Sequence, residues 1–277
     1  MEYIRSIEWL SNHLNDPNVC IVDCRFNLAD ADSGEREYKE AHIPGAHYAH
    51  LDRHLSGEKR THGGRHPLPD LKEFQKTAQS FGINDDTTVI VYDNGDAMFA
   101  GRFWWLLSYV GHQHVYILDG GFAEWKKKGL PVSNAAPDSQ PGRLSLQVQE
   151  GWTASVEDVK QAALEKDGTT LIDSRAPERY EGKVEPLDRV PGHIPTAVNH
   201  FFKAGLEGSF WKSEEAQKER FQELDPTQPV IVYCGSGVSA TPNIIALKQA
   251  GFHNVRLYAG SYSDWSSYEE LPVEKKK

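Results

Sequence analysis

The 277-residue sequence has few cysteines, a deficit of cationic side chains and no long apolar run. Its three cysteines are too few and too widely spaced for a disulfide framework, so a reducing, cytoplasmic location is expected. Thirty Lys and Arg against forty Asp and Glu give a formal charge of −10, which argues against nucleic acid or an anionic membrane as a partner. Phe103–Leu107 is among the densest apolar runs and is far shorter than the roughly 18 residues of a spanning helix. The charged N-terminal residues likewise do not resemble a secretory signal.

The sequence has the composition and internal repetition of two related domains. Hydrophobic residues make up 39% of the chain, which is enough for a core in each half. At about 150 residues per domain, the length also predicts two domains. Four motifs occur twice, in the same order and 140 to 151 residues apart: Ile21–Arg25 with Leu171–Arg175, Ala41–Pro44 with Gly192–Pro195, Val89–Asp93 with Val230–Cys234, and Gly120–Trp125 with Gly260–Trp265.

This repetition predicts a tandem duplication. We expect an N-terminal domain at 1–134, a linker at 135–151 and a C-terminal domain at 152–277. The linker is predicted because the stretch begins without apolar periodicity and contains two prolines.

Within each half, short apolar runs alternate with stretches of helical period. Val89–Tyr92 and Val230–Tyr233 have the β-branched character of buried strands. Ser155–Leu164 and Ile244–Ala250 carry apolar residues at helical spacing. Strands that alternate with helices predict α/β domains, each a mainly parallel sheet flanked by helices.

The segment that follows the strand Val230–Tyr233 has the features of a nucleophile site. Cys234 ends the strand, a loop of small residues follows, and a helix is predicted to begin near Thr241 and Pro242. Glycines in such a loop let several backbone N–H groups point at one centre, which favours an anion and a reactive thiolate. An isolated cysteine here would more simply be a small buried hydrophobe, but the loop and helix favour the nucleophile.

The duplication provides an internal comparison for this cysteine. Asp93 occupies the position that matches Cys234 in the first copy, and a carboxylate cannot replace a thiolate nucleophile. The N-terminal domain is therefore predicted to be a scaffold that is chemically silent. Cys20 and Cys24 are separated by three residues rather than two, and structural roles are predicted for both.

The loop Cys-Gly-Ser-Gly-Val-Ser-Ala, the paired His-Ile-Pro turns and the Gly-x-x-x-x-Trp segments resemble the two-domain rhodanese family of sulfurtransferases over essentially the whole chain. Within that family, the loop resembles that of the 3-mercaptopyruvate sulfurtransferases. The thiosulfate sulfurtransferases have Arg-Lys where this chain has Gly235 and Ser236. The resemblance implies that Cys234 takes sulfur from a donor, holds it as a persulfide and passes it to an acceptor.

The resemblance also implies a proton-transfer group. His66 matches a catalytic histidine of the mercaptopyruvate enzymes, and Asp52 matches its carboxylate partner. With Ser236 they would form a Ser-His-Asp relay that spans both domains and protonates the pyruvate enolate. The alternative is that His66 only caps a surface loop.

Donor binding is assigned by the same resemblance. Arg179 matches an arginine that binds the donor carboxylate, for which a guanidinium is well suited. A second family arginine is replaced here by Leu187, and Arg189 could substitute for it. The backbone of Gly235, Gly237, Val238 and Ser239 would complete the anion site. Arg25 and Arg175 are expected to form structural ion pairs with Asp23 and Asp173.

The predicted function is thus transfer of sulfane sulfur from 3-mercaptopyruvate through Cys234 to a thiol or cyanide acceptor, such as thioredoxin, by a monomer without cofactor. Thiosulfate is the alternative donor. A thiol phosphatase or arsenate reductase is disfavoured because Ala240 stands where those enzymes carry an arginine. A non-enzymatic sulfur carrier or binding module is a third class.

A cluster of histidines occurs at 42–66. His47, His50 and His54 could share a helical face, but no ligand geometry indicates a metal.

Overall fold

A computed structural model describes residues 2–165 and 167–276, which divide into two compact units. Unit 1 comprises residues 1–57, 69–149 and 207–211, and unit 2 comprises residues 58–68, 150–206 and 212–277. In each unit a parallel sheet is flanked by helices, so the predicted α/β fold is confirmed. Among the described residues, no helix combines the length and apolar character needed to cross a membrane.

Unit 1 contains a five-stranded parallel sheet in the order β1-β5-β4-β2-β3. Its strands are β1 (Ile4–Arg5), β2 (Val19–Asp23), β3 (His47–Tyr48), β4 (Thr88–Tyr92) and β5 (Val115–Leu118). Its helices are α1 (Ile7–Asn12), α2 (Ser33–Glu40), α3 (Leu51–His54), α4 (Leu71–Ser80), α5 (Met98–Tyr109) and α6 (Gly121–Lys127). The predicted strand at 89–92 is thus confirmed and begins one residue earlier.

Unit 2 contains a four-stranded parallel sheet in the order β11-β10-β6-β7. Its strands are β6 (Thr170–Asp173), β7 (Val198–Asn199), β10 (Val230–Tyr233) and β11 (Val255–Leu257). A separate two-stranded ribbon is formed by β8 (Leu206–Glu207) and β9 (Phe210–Trp211), and all of it except Leu206 belongs to unit 1. Its helices are α7 (Val156–Lys160), α8 (Pro177–Tyr180), α9 (Glu214–Arg220), α10 (Thr241–Gln249) and α11 (Ser261–Trp265), with a π-helical turn at Gln161–Glu165 and a 3₁₀ turn at Phe202–Gly205. The apolar stretch predicted as one helix at 155–164 therefore changes from α- to π-helix at Gln161.

The repeated motifs make the same buried contacts in both units. Arg25 donates to the Asp23 carboxylate at 2.7 Å, and Arg175 donates to Asp173 at 2.6 Å, which confirms the predicted ion pairs. The histidines of the repeated His-Ile-Pro turns also make matching contacts. Nδ1 of His42 lies 2.7 Å from Tyr38 O, and Nδ1 of His193 lies 2.7 Å from Tyr180 O. The indole N–H of Trp265 donates to Pro272 O at 2.9 Å, as that of Trp125 does to Pro131 O at 2.8 Å. These repeats therefore maintain the fold.

Two short segments pack in a unit other than the one that the sequence repeat predicts. Residues 58–68 belong to unit 2 although they lie within the N-terminal half of the sequence, and residues 207–211 belong to unit 1. The stretch predicted as a linker lies along unit 1 as far as Gln149, whose backbone N–H donates to Tyr109 O at 2.9 Å. Contacts, rather than the order of the repeat, therefore decide which unit these segments join.

Candidate active site

Cys234 lies where β10 ends, at the carboxyl edge of the sheet in unit 2. The residue is 1% exposed. Its backbone N–H donates to Ser261 Oγ at 3.1 Å, and its Sγ accepts from the backbone N–H of Gly237 at 3.1 Å. An amide dipole therefore points at the sulfur, which favours negative charge there.

The loop between Cys234 and α10 is shaped by Gly237, which has φ of +77°. A Cβ at this position would lie 2.2 Å from Ala259 O, so only glycine fits. Val238 is buried and Ser239 is half-buried along the same loop. The helix begins at Thr241 with Pro242 in its first turn, as the sequence predicts.

His66 and Ser236 form a buried hydrogen-bonded pair beside this loop. His66 Nδ1 lies 2.8 Å from Ser236 Oγ, and the two residues are 6% and 7% exposed. Both belong to unit 2, because segment 58–68 packs there. His66 lies within the predicted N-terminal domain in the sequence, and its contacts group it with unit 2. The pair can exchange a proton between an imidazole and a hydroxyl.

Hydrogen bonds and a ring stack hold segment 58–68 against α11 and the residues that follow it. The backbone N–H of Gly63 donates to Asp264 Oδ1 at 2.7 Å, and that of Arg65 donates to Ser263 Oγ at 3.1 Å. His62 stacks on Tyr268 with ring centroids 4.0 Å apart. These contacts fix the backbone on which His66 stands.

Arg179, on α8, lies in a network of buried carboxylates. Its Nη2 donates to Glu185 Oε1 at 2.7 Å and to Asp188 Oδ2 at 2.9 Å, and its Nε donates to Glu185 Oε2 at 3.2 Å. Arg175 donates to the same Glu185 at 3.1 Å. The Glu185 and Asp188 side chains are 1% and 2% exposed, so the arginines neutralise charges that burial would otherwise make unfavourable.

Arg65 is a further cationic residue at this site and is not among the predicted site residues. Its Nη1 pairs with Asp188 Oδ1, and its guanidinium borders Gly235, the residue after Cys234. The only sequence signal was its position next to His66, and nothing in the order of residues showed that this segment reaches the cysteine loop.

For two further predicted residues, Arg189 and Asp52, the structure shows these contacts. Arg189 is exposed and its Nε donates to Ser266 O at 2.9 Å, and no contact among the described residues joins it to Arg179. Leu187 is 54% exposed. Asp52 lies on α3 in unit 1, where its backbone N–H donates to His50 Nδ1 at 3.1 Å, and its role as the carboxylate partner of His66 stays a prediction.

In unit 1 the position of the cysteine is filled by the side chain of Asp93. Its Oδ1 accepts from the backbone N–H groups of Gly95 and Ala97 at 2.9 and 3.1 Å, and its Oδ2 accepts from Phe99 and Ala100 at 3.0 and 3.1 Å. Burial, together with the nearby Asp96, raises the pKa of this carboxyl group to about 6. The turn between strand and helix therefore binds a negatively charged group in this copy of the fold.

The other two cysteines, Cys20 and Cys24, lie in surroundings that disfavour a thiolate. Burial raises the pKa of Cys20 to about 12, and burial with the charges of Asp23 and Asp93 raises that of Cys24 well above its usual value. Both thiols are thus held neutral. Within residues 2–165 and 167–276, no three His, Cys, Asp or Glu side chains are arranged to hold a metal ion.

Comparison with known proteins matches both halves of the chain to one family. The rhodanese-like domain profile matches residues 6–128 and 155–268. A Pseudomonas aeruginosa protein named "Probable 3-mercaptopyruvate sulfurtransferase" is 42% identical over 271 residues, which cover 95% of each chain. The 3-mercaptopyruvate sulfurtransferase of Escherichia coli is 33% identical over 98% of this chain and 97% of its own.

Two further similarities are to a solved structure and to a relative that carries a different name. The crystal structure of Escherichia coli SseA, titled as a 3-mercaptopyruvate sulfotransferase, superposes with a TM-score of 0.84 at 30% identity, over 95% of this chain and all of the other. A Mycobacterium tuberculosis protein, SseB, provisionally named a thiosulfate sulfurtransferase, is 36% identical over 93% of this chain and 91% of its own.

Proposed function

The chain belongs to the rhodanese family and is a two-domain sulfurtransferase, and from this we propose that it transfers sulfane sulfur from 3-mercaptopyruvate, through a persulfide on Cys234, to a thiol acceptor. The observation that supports this choice of donor is the buried pair of His66 and Ser236, in which Nδ1 lies 2.8 Å from Oγ. Ser236 follows the nucleophile Cys234 by two residues. A donor that leaves as an enolate needs a proton, and this pair can deliver one.

In the first half-reaction, the Cys234 thiolate attacks the sulfur of 3-mercaptopyruvate. The new S–S bond forms as the C–S bond breaks, and the bonding electrons leave on the pyruvate enolate. Ser236 gives the enolate carbon a proton and recovers one through His66, so that the proton of the donor thiol ends on pyruvate. The outer sulfur of the persulfide is negatively charged, and the amide of Gly237 points into its surroundings.

In the second half-reaction, an acceptor thiolate attacks the outer sulfur. An S–S bond forms on the acceptor, the Cys234–sulfur bond breaks and the thiolate is regenerated. Thioredoxin or glutathione would serve as the thiol acceptor, whereas with cyanide a C–S bond would form and thiocyanate would leave. We place the reaction in the cytoplasm because acceptor thiols stay reduced in that compartment. A monomer suffices for this cycle.

Thiosulfate is the second candidate donor. The loop itself carries no cation, but Arg65 and Arg179 border Gly235, and two guanidinium groups suit a compact dianion. The provisional name of the Mycobacterium tuberculosis relative refers to this donor.

A persulfide-trapping experiment tests the proposal. After exposure to 3-mercaptopyruvate without acceptor, the intact mass should increase by one sulfur atom, located on the peptide that contains Cys234. Cys234→Ser should lose both the added mass and turnover, whereas Cys20→Ser and Cys24→Ser should keep both. Comparison of kcat/KM for the two donors should favour 3-mercaptopyruvate. A higher kcat/KM for thiosulfate would overturn the choice of 3-mercaptopyruvate as donor and leave the persulfide mechanism intact.

A further inference from the structure

Ser261, the first residue of α11, has a backbone conformation that residues with a side chain rarely adopt. Its φ is +57°, in the left-handed region, and the residue is fully buried. This conformation is unfavourable for every residue type except glycine, and only Asn and Asp tolerate it well. Backbone strain of this kind persists where the surrounding structure imposes it, and it clusters at functional sites. A serine in this conformation therefore indicates a contact that glycine cannot make.

The first copy of the repeat has glycine at the matching position. Gly121 has φ of +61°, and a Cβ there would lie 2.7 Å from Asp93 O, so a side chain would force that backbone to shift. The two turns otherwise bind the strand-end residue in the same way. The backbone N–H of Phe122 donates to Asp93 O at 2.8 Å. That of Tyr262 donates to Cys234 O at 3.0 Å. The serine hydroxyl is thus present only in the copy that carries the cysteine.

The hydroxyl of Ser261 makes two buried hydrogen bonds. It donates to Tyr258 O at 2.9 Å and accepts from the backbone N–H of Cys234 at 3.1 Å. Because a carbonyl oxygen can only accept, the hydroxyl proton points at Tyr258 and the lone pairs face the cysteine. The other edge of the peptide that precedes Cys234 is held by Ser174, whose N–H donates to Tyr233 O at 2.8 Å. The serine therefore completes the support of this peptide.

The turn at the start of α11 binds three backbone groups around the cysteine. Besides the N–H that the serine hydroxyl holds, Cys234 O accepts from Tyr262 N–H at 3.0 Å, and Gly235 O accepts from Ser263 N–H at 2.9 Å. The peptides on both sides of the cysteine Cα are thereby fixed, and so is the direction of the Cα–Cβ bond. This direction places Sγ 3.1 Å from the backbone N–H of Gly237.

We propose that Ser261 is a positioning residue for sulfur transfer, whose hydroxyl holds the backbone of Cys234 so that the sulfur points at the donor. The inference rests on the proposed function, in that Cys234 is the nucleophile. Attack on a donor sulfur requires alignment with the bond that breaks, and a small misplacement of the nucleophile lowers the rate strongly. Because Ser261 is fully buried, it does not contact the donor. Its loss should therefore lower kcat and leave KM nearly unchanged.

Two variants that both lack the hydroxyl test the proposal. In Ser261→Gly the strained conformation becomes favourable, as it is for Gly121, whereas Ser261→Ala keeps the strain. The midpoint of urea unfolding should accordingly be higher for the glycine variant. We expect kcat with 3-mercaptopyruvate to fall by about tenfold in both, the effect of one hydrogen bond. A residue that only maintained the fold would give an active glycine variant and an impaired alanine variant.

The loss should be the same for both donors, because the same sulfur attacks 3-mercaptopyruvate and thiosulfate. Amide hydrogen exchange in protein with isotope-labelled cysteine reports the contact itself. The Cys234 amide should exchange about tenfold faster or more in either Ser261 variant. The amide of Cys24, which donates to Tyr92 O at 2.8 Å in unit 1, should keep its rate and is the internal reference.

Thr196→Gly is the matched control. Thr196 is an exposed residue of unit 2 with φ of +67°, so this variant also relieves a strained backbone. It should raise the unfolding midpoint and leave kcat and the exchange of the Cys234 amide unchanged.

A wild-type kcat in Ser261→Gly would overturn the proposal, as would an unchanged exchange rate of the Cys234 amide or a rise in KM without loss of kcat. If Ser261→Ala unfolds, the glycine variant and its amide exchange decide the question. Failure of the proposed function is a separate result, because it is detected in the wild-type protein as the absence of a persulfide with either donor. The exchange rates would then still decide whether Ser261 holds the cysteine backbone.

Discussion

Nδ1 of His66 lies 2.8 Å from Oγ of Ser236, although 170 residues separate the two in the sequence. The contact exists because segment 58–68, although it belongs to the first half of the sequence, packs as part of unit 2. A hydroxyl two residues after Cys234 thereby gains an imidazole partner that can exchange a proton with it, in surroundings from which water is largely excluded.

Removal of this hydroxyl should separate the two donors. Ser236→Ala is expected to lower kcat with 3-mercaptopyruvate by about 10²- to 10⁴-fold, the usual contribution of general acid–base catalysis. Thiosulfate turnover should fall much less, because sulfite leaves without protonation of a carbon. Steady-state kinetics with both donors measure the difference, and equal losses would reject the proton-transfer role. His66→Gln combined with Ser236→Ala should lose little more than either alone, because the pair acts as a unit.

Truncation of Arg179 should affect both binding and stability. Arg179→Ala is expected to reduce kcat/KM for 3-mercaptopyruvate by about 10- to 150-fold, equivalent to one charge-assisted hydrogen bond. The midpoint of urea unfolding should also decrease, since Glu185 and Asp188 lose a partner for their buried charges. Arg179→Lys is the control that keeps the charge, and it should recover stability more fully than donor binding. A normal kcat/KM in Arg179→Ala would remove this residue from the site.

Asp93 should matter for folding and not for sulfur transfer. Asp93→Ala leaves four backbone N–H groups without the carboxylate that binds them, so the free energy of unfolding should fall by more than about 2 kcal/mol. Persulfide formation on Cys234 should persist in the folded fraction. Urea titration and mass spectrometry of the same sample test both statements, and Asp85→Ala, in which an exposed carboxylate is removed from unit 1, is the comparison. Loss of the persulfide in folded Asp93→Ala would show that the first copy takes part in the chemistry.

Stability should decrease in mild acid through His54. Burial, with the charges of Arg53 and His50, lowers its pKa to about 4 in the folded protein, from an ordinary value of 6.5. Its Nδ1 accepts from the backbone N–H of His50 at 3.0 Å, which requires the unprotonated nitrogen.

Because the unfolded chain binds the proton more tightly, the contribution of His54 is complete above pH 6.5 and is lost as the pH falls toward 4. His54→Asn keeps an acceptor but does not titrate. The difference in unfolding free energy between wild type and this variant should therefore shrink from pH 7.5 to pH about 4.5. A constant difference would show that His54 is not the titrating group.

The sequence by itself determined the duplication, the two α/β domains and the position of Cys234 at the end of a strand. These features depend on local order: β-branched runs form strands, and a cysteine after a buried strand lies at the carboxyl edge of a parallel sheet. The contrast between Asp93 and Cys234 needed only the alignment of the two copies. Ion pairs such as that of Asp23 with Arg25 were predictable as well, because only one residue separates the partners.

The tertiary structure alone decided which side chains meet at the cysteine loop. Arg65 and Arg179 are more than 100 residues apart in the sequence, and the helical or strand period of either segment contains no information about the other. The path of segment 58–68 brings Arg65 and His66 to the cysteine loop, while Nε of Arg189, a residue close to Arg179 in sequence, donates to Ser266 O. Local periodicity fixes elements, whereas a site formed by loops depends on contacts between distant segments, which only the folded chain establishes.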